Sequence, residues 1–196
     1  MDTPEQWGSL ALVNYIPDPL GSFLHSLRRL LPGDENPQAH ITILPPRPLK
    51  SPPECASLGA RKVLDGFSRC EVELSSVRSF PDTGYLYIDI VKGNRTLHAM
   101  HAALNSGELS HVERFEYRPH LTIGGPVSES SIESVQAEAE NAWRSSGCSP
   151  HLIVDEIVCL WLSPGGSSLD WKRVWSHWLG GHAGKGAAAG TTAQTS

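Results

Sequence analysis

The stretches HITIL (residues 40–44) and HLTIG (residues 120–124) each place a histidine and a threonine two positions apart in a run of strand-forming residues. Residues i and i+2 of a β-strand point to the same face, so each histidine shares a face with its threonine, and the apolar residues point the other way. One face of each strand can then enter a core while the other lines a cleft. The four polar residues are His40, Thr42, His120 and Thr122.

The chain reaches each stretch through the same order of elements. Residues 9–16 (SLALVNYI) predict a strand, and apolar residues at helical spacing then predict a helix that extends to Leu30. Residues 85–91 (YLYIDIV) predict a second strand, followed by a helix that ends near Gly107. A His-x-Thr strand follows in both copies, which indicates an internal duplication.

The remaining segments complete a mixed architecture. From the order of the predicted elements we predict an α+β, bilobal, duplicated fold: two pseudo-symmetric, largely antiparallel sheets flanked by helices, with a central groove. The predicted elements are helices at 54–67 and 129–145, strands at 70–80, 152–162 and 170–179, turns at 81–84 and 163–168, and a strand end at Pro45 and Pro46.

Length and composition narrow the class of protein. The 196 residues suit one bilobal domain over residues 1–179, followed by a low-complexity, disordered tail at 180–196. A net charge of -5 argues against a partner such as duplex DNA. Four cysteines without CxxC pairing, no basic leader and no long apolar run predict a protein of the cytoplasm or nucleocytoplasm without a membrane partner. We expect a monomer.

The two polar faces can line one groove if the lobes are related by a pseudo-dyad. A neutral histidine can then take a proton from water while a protonated one donates to a leaving alkoxide, because both forms exist near neutral pH. Threonine hydroxyls can donate to phosphate oxygens, so the groove suits a phosphodiester and requires neither a metal nor a cofactor. Arg118 lies two residues before His120 and joins this face, where it either contacts phosphate or pairs with a surface carboxylate.

The motifs AHITILPP and YRPHLTIGG resemble those of the 2H phosphoesterases, a family of duplicated bilobal enzymes with paired His-x-Thr/Ser motifs, over about residues 9–178. The resemblance implies that His40 and His120 are the acid/base pair and that Thr42 and Thr122 hold phosphate. It also implies a metal-independent phosphodiesterase acting on the 2',3'-cyclic phosphate of a small nucleotide or a short RNA end.

Other readings of the same residues remain open. The enzyme could instead be a 2'-5' RNA ligase or a 2'-5' oligonucleotide phosphodiesterase, and a noncatalytic nucleotide-binding module would keep the same groove. The paired histidines could also be structural, whereas a zinc site lacks enough neighbouring ligands. We interpret Arg47 as a loop charge, the other histidines as structural or exposed, and Trp161, Trp171, Trp175 and Trp178 as core residues.

Overall fold

The computed structural model describes residues 6–31, 38–167 and 169–180. These residues form strands and helices in an order that matches the predicted repeat. The elements are β1 (Ser9–Tyr15), α1 (Leu20–Arg28), β2 (His40–Pro48), α2 (Pro53–Leu64), β3 (Cys70–Ser79), β4 (Leu86–Lys92), α3 (Asn94–Leu104), a 3₁₀ turn (Gly107–Leu109), β5 (His120–Gly124), α4 (Ile132–Arg144), β6 (His151–Val154), β7 (Glu156–Leu162) and β8 (Lys172–Trp178).

The strands form one antiparallel sheet in the order β6-β3-β4-β5-β2-β1-β7-β8. The four strands from β2 to β8 form a first half and the four from β6 to β5 form a second half. The halves meet where β2 pairs with β5, with Ile41 opposite Leu121 as the registered residue pair. The predicted α+β duplication is confirmed, and the two predicted sheets are the halves of one continuous sheet.

The helices pack across the boundary between the halves. Helix α1 follows β1 in the chain but packs against β5, and α3 follows β4 but packs against β2. The alternating apolar residues of the two motif strands, Ile41, Ile43, Leu121 and Ile123, are 0% exposed. Their burial fixes the strand register, because a slip of one residue would turn the polar face into the core.

The expectation that Pro45 and Pro46 end the first motif strand is wrong, because β2 continues to Pro48. The pairing of β1 with β2 is irregular at this point: Leu12 is opposite Leu44, whereas Leu10 is opposite Arg47. Proline has no N–H to donate, so an irregular ladder accommodates it where a regular ladder would lose a hydrogen bond.

The predicted strand at 152–162 is two strands, separated by Asp155. Strand β6 pairs with β3 in the second half, whereas β7 pairs with β1 in the first half. Consecutive Cα atoms are about 3.8 Å apart, so with one intervening residue the sheet must curl until the end of β6 lies close to the start of β7, although the two strands do not pair. The carbonyl oxygen of Asp155 also accepts a hydrogen bond from the backbone N–H of Leu179 at 2.7 Å.

Several helix limits are narrower than predicted. Helix α1 ends at Arg28, and Leu30 beyond it is 82% exposed. Helices α2 and α4 are also shorter than predicted at their carboxyl and amino ends, respectively. The predicted tail lies outside the described residues from 181 onward. Within the described part of the chain, no helix has the length and apolar character to cross a membrane.

Candidate active site at the boundary between the two halves

The pairing of β2 with β5 brings the two motifs side by side. Ile41 is opposite Leu121, and the strands run antiparallel, so the register sets each histidine toward the threonine of the other motif. Both of these apolar residues point into the core, and the four polar side chains are therefore on the opposite face. All four are half-buried. The predicted motif residues occupy one region of the sheet.

The ring of His40 is oriented by the backbone. Its Nδ1 lies 2.8 Å from the carbonyl oxygen of Gln38, an acceptor, so Nδ1 carries the proton and Nε2 is the atom left to titrate. Burial lowers the pKa of His40, the hydrogen bond to Gln38 opposes this, and the charges of Arg28 and His120 lower the pKa further. The ring of Tyr15 packs edge-on at 6.2 Å. These neighbours favour neutral His40.

The ring of His120 is held in the same way but has different neighbours. Its Nδ1 lies 2.6 Å from the carbonyl oxygen of Arg118, which again leaves Nε2 to titrate. Burial lowers the pKa of His120, and the hydrogen bond to the Arg118 carbonyl oxygen opposes this. The charge of Arg118 lowers the pKa further, while Asp89, directly opposite on β4, raises it. The rings of Phe80 and Tyr87 pack edge-on at 4.9 and 5.4 Å. The Asp89 carboxylate thus favours the protonated form of His120, and among the described residues no carboxylate does the same for His40.

The backbone of each motif threonine is anchored by a distant side chain. The hydroxyl of Tyr117 donates to the carbonyl oxygen of Thr42 at 2.9 Å, and Nε of Arg28 donates to that of Thr122 at 3.1 Å. Arg28 is 8% exposed, and burial lowers its pKa to about 10. These contacts fix the strand backbone, so the threonine side chains need little rearrangement to meet a ligand.

Arg118 lies at the site and also pairs with a carboxylate. Its guanidinium Nη2 is 3.5 Å from Asp89 and its Cζ is 5.3 Å from the centre of the Tyr87 ring. Asp89 also pairs with Arg78 at 3.2 Å. Arg118 is half exposed and lines the same cavity as His120, so its position is compatible with both roles weighed from the sequence.

The interpretation of Arg47 as a loop charge is wrong, because its side chain is 1% exposed. It donates to Asn105 Oδ1 and to the Leu109 carbonyl oxygen, both at 2.8 Å, and pairs with Glu113 at 2.5 Å. Burial lowers the pKa of Arg47, and Glu113 opposes that shift. His101 Nε2 is 3.4 Å from the same carboxylate. Together these contacts attach the segment before β5 to the end of β2.

A cavity of about 880 Å³ opens beside the motif residues. Thr42, His120 and Arg118 line it, whereas His40 and Thr122 are not part of its wall. Much of the remaining wall comes from residues 111–117, between the 3₁₀ turn and β5. The cavity therefore extends away from the motif pair along this segment.

Other sequence interpretations have mixed outcomes. Trp161 and Trp175 pack partly buried against the core as expected, but Trp178 is 58% exposed and is not a core residue. His101 is buried and structural, while His98 is exposed and lines the cavity. Among the residues that the structure describes, no group of three or more His, Cys, Asp or Glu side chains is placed to hold a metal ion.

Comparison with known proteins identifies the family. Residues 16–165 match the family model described as the 2'-5' RNA ligase superfamily. No curated protein sequence matches the chain.

Solved structures share the fold at low sequence identity. Escherichia coli LigT, crystallised with 3'-AMP, has a TM-score of 0.62 and 11% identity, covering 89% of this chain and 99% of LigT. TT0787 of Thermus thermophilus has a TM-score of 0.57 and 14% identity, covering 89% and 99% of the two chains. Usb1 of Kluyveromyces marxianus has a TM-score of 0.55 and 11% identity, covering 83% and 96%.

Proposed function

Because the chain belongs to the 2'-5' RNA ligase superfamily, within the 2H phosphoesterases, we propose that it is a metal-independent phosphodiesterase that hydrolyses 2',3'-cyclic phosphates of nucleotides or RNA ends. The observation that carries this proposal is the pairing of β2 with β5, which sets two identically oriented histidines and two threonines around one residue pair. Each imidazole has one nitrogen held by a carbonyl oxygen and one nitrogen available for proton transfer.

In the proposed reaction the two histidines act on opposite sides of the phosphorus atom. Nε2 of neutral His40 takes a proton from water, whose oxygen attacks phosphorus, and Nε2–H of protonated His120 donates its proton to the departing ribose oxygen. We assign the base to His40 because burial and the charge of Arg28 both disfavour its protonated form. We assign the acid to His120 because the Asp89 carboxylate opposite it offsets part of the lowering of its pKa by burial and by Arg118.

The threonine hydroxyls are proposed to donate to the nonbridging phosphate oxygens. Negative charge on these oxygens is greatest in the pentacoordinate transition state, so donors that are already in place stabilise it more than they stabilise the ground state. Anchoring of the Thr42 and Thr122 backbones supports this role. Arg118 is proposed to approach the same oxygens by exchanging its long contact with Asp89 for the phosphate.

The family name favours one alternative, in which the same groove makes or cleaves 2'-5' linkages in longer RNA. Such an enzyme would grip several phosphates and lose affinity steeply as salt rises, whereas an enzyme for a mononucleotide or short end would not. The crystallisation of E. coli LigT with 3'-AMP and with ATP supports a nucleotide-sized ligand for this fold.

The test is turnover of 2',3'-cyclic mononucleotides in excess EDTA, with the product identified as a 2'- or 3'-phosphate. We expect activity to persist, since the side chains supply both proton transfers, and His120→Ala serves as the inactive control. Loss of activity on chelation that zinc or magnesium restores would overturn the metal-free mechanism. No turnover of any cyclic phosphate, with nucleotide binding intact, would favour a noncatalytic binding module.

A further inference from the structure

The segment of residues 110–118, which links the 3₁₀ turn to β5, has no regular secondary structure but is held at two points. Glu113 pairs with buried Arg47 at 2.5 Å. Tyr117 donates its hydroxyl to the Thr42 carbonyl oxygen at 2.9 Å, and its ring stacks on His101 with centroids 3.8 Å apart. A segment attached in this way presents the residues between its anchors in a fixed position.

Between the two anchors lie Arg114 and Phe115. The Phe115 ring is 51% exposed, although Glu113 and Tyr117, two positions away on either side, are anchored to the protein interior. The Arg114 guanidinium carbon lies 5.0 Å from the centre of that ring. Both residues line the cavity that contains His120 and Thr42. The guanidinium lies over one face of the ring, so a nucleic-acid base would stack on the other face, and the cation would strengthen that stack.

Cavity size and charge indicate what this surface would bind. At about 880 Å³ the cavity is near the upper end of the roughly 300–1,000 Å³ range of small-molecule sites, which leaves room beyond a single nucleotide. Its wall includes the carboxylates of Asp82, Glu113 and Glu116 as well as Arg114 and Arg118. With carboxylates and guanidiniums both present, the cavity wall is not a cationic surface that could bind many phosphates. Stacking on a base therefore suits this wall better than contact with a run of phosphates.

We propose that Arg114 and Phe115 form a subsite for the base of the penultimate nucleotide, the one on the 5' side of the nucleotide that carries the cyclic phosphate. This inference rests on the proposed function and narrows its substrate: an RNA end of two or more nucleotides is preferred over a cyclic mononucleotide. The cyclic phosphate occupies the region of His120 and Thr42, and the base of the penultimate nucleotide stacks on the exposed ring of Phe115.

The experiment compares kcat/KM for a 2',3'-cyclic mononucleotide with kcat/KM for a dinucleotide ending in the same cyclic phosphate. Wild-type protein should prefer the dinucleotide, and Phe115→Ala should reduce that preference by about 5- to 150-fold, the usual effect of one base-aromatic stack. Phe115→Trp should retain the preference. Val112→Ala is the matched control, since Val112 lies in the same segment, is 92% exposed and is absent from the cavity wall.

Salt dependence gives a second readout. With no more than one phosphate contact in the subsite, raising the salt from roughly 50 to 200 mM should weaken binding of the dinucleotide by no more than about threefold beyond its effect on the mononucleotide. A much steeper additional loss would indicate a track for several phosphates and would overturn the stacking subsite. Equal kcat/KM of the wild-type protein for the two substrates, or an equal effect of Phe115→Ala on both, would overturn the subsite.

Failure of the subsite can be separated from failure of the proposed function. If neither cyclic substrate is turned over, the proposed function fails, and binding of a dinucleotide 3'-phosphate is measured by titration instead. The subsite then requires that Phe115→Ala weaken this binding more than it weakens binding of a mononucleotide 3'-phosphate. Equal weakening of the two would overturn it.

Discussion

Replacing Arg47 with methionine tests whether the segment before β5 is held by a buried ion pair. Arg47→Met keeps most of the apolar stem but removes the guanidinium, which is 1% exposed. Asn105 Oδ1, the Leu109 carbonyl oxygen and the Glu113 carboxylate then each lose a donor. Breaking a buried pair from one side costs about 3–5 kcal/mol, so we expect the free energy of unfolding to fall by that amount.

The assay is denaturant unfolding with a parallel thermal scan. For a chain of this length the loss corresponds to a fall in Tm of about 6–20 °C. Arg144→Met is the control, since Arg144 is 70% exposed in its pair with Glu140 and its loss should cost no more than about 1 kcal/mol. The double variant Arg47→Met with Glu113→Gln should lose less than the sum of the single losses, because it leaves no unpaired charge.

A fall in the free energy of unfolding below about 1 kcal/mol for Arg47→Met would refute this reasoning, since the variant leaves the buried partners of the guanidinium without a donor. Fully additive single losses would refute the pairing with Glu113 in particular.

Further expectations concern the reaction itself. His40→Ala and His120→Ala should each reduce kcat by about 10²- to 10⁴-fold. The double variant should lose much less activity than the product of the two single losses, because the two histidines act in one step. A single variant with a kcat near that of the wild type would show that its histidine has a structural role. Thr42→Val and Thr122→Val should slow turnover in the same kinetic assay, with unfolding curves almost unchanged. Because burial lowers the pKa of both histidines, His120, the proposed acid, loses its proton at a lower pH than an ordinary histidine does. The bell-shaped kcat/KM profile should therefore peak on the acid side of the ordinary histidine pKa, and a rate that keeps rising into alkaline pH would contradict it.

The polar and apolar faces of the two motif strands were predictable from sequence, because a strand alternates with period two wherever one side is buried. Ile41 and Leu121 are in the core, and His40 and His120 are on the other face, as the alternation indicates. The internal duplication was also predictable from the sequence. The order of elements repeats even though few residues do.

Features that depend on distant partners were not predictable. Arg47 follows two prolines and looks like a loop residue, but its partner Glu113 is 66 positions away. No sequence pattern indicates a partner for Tyr117, whose hydroxyl the fold places at the Thr42 carbonyl oxygen, 75 positions away in the chain. The break at Asp155 lies inside an apolar run, where periodicity carries no signal about which sheet half each part joins.

Few strand-to-strand pairings join the two halves of the curled sheet. Within each half the strands pair over several residues, whereas one registered residue pair joins β2 to β5. At the other side, Asp155 connects the halves through a single residue and limits sliding of one against the other. Much of what holds the halves together where β2 meets β5 is therefore the packing of α1 against β5 and of α3 against β2, with the hydrogen bonds from Arg28 to Thr122 and from Tyr117 to Thr42. Because these contacts fix the two strands that carry His40 and His120, a substitution that loosens them would change the separation of the two imidazoles as well as the stability of the sheet.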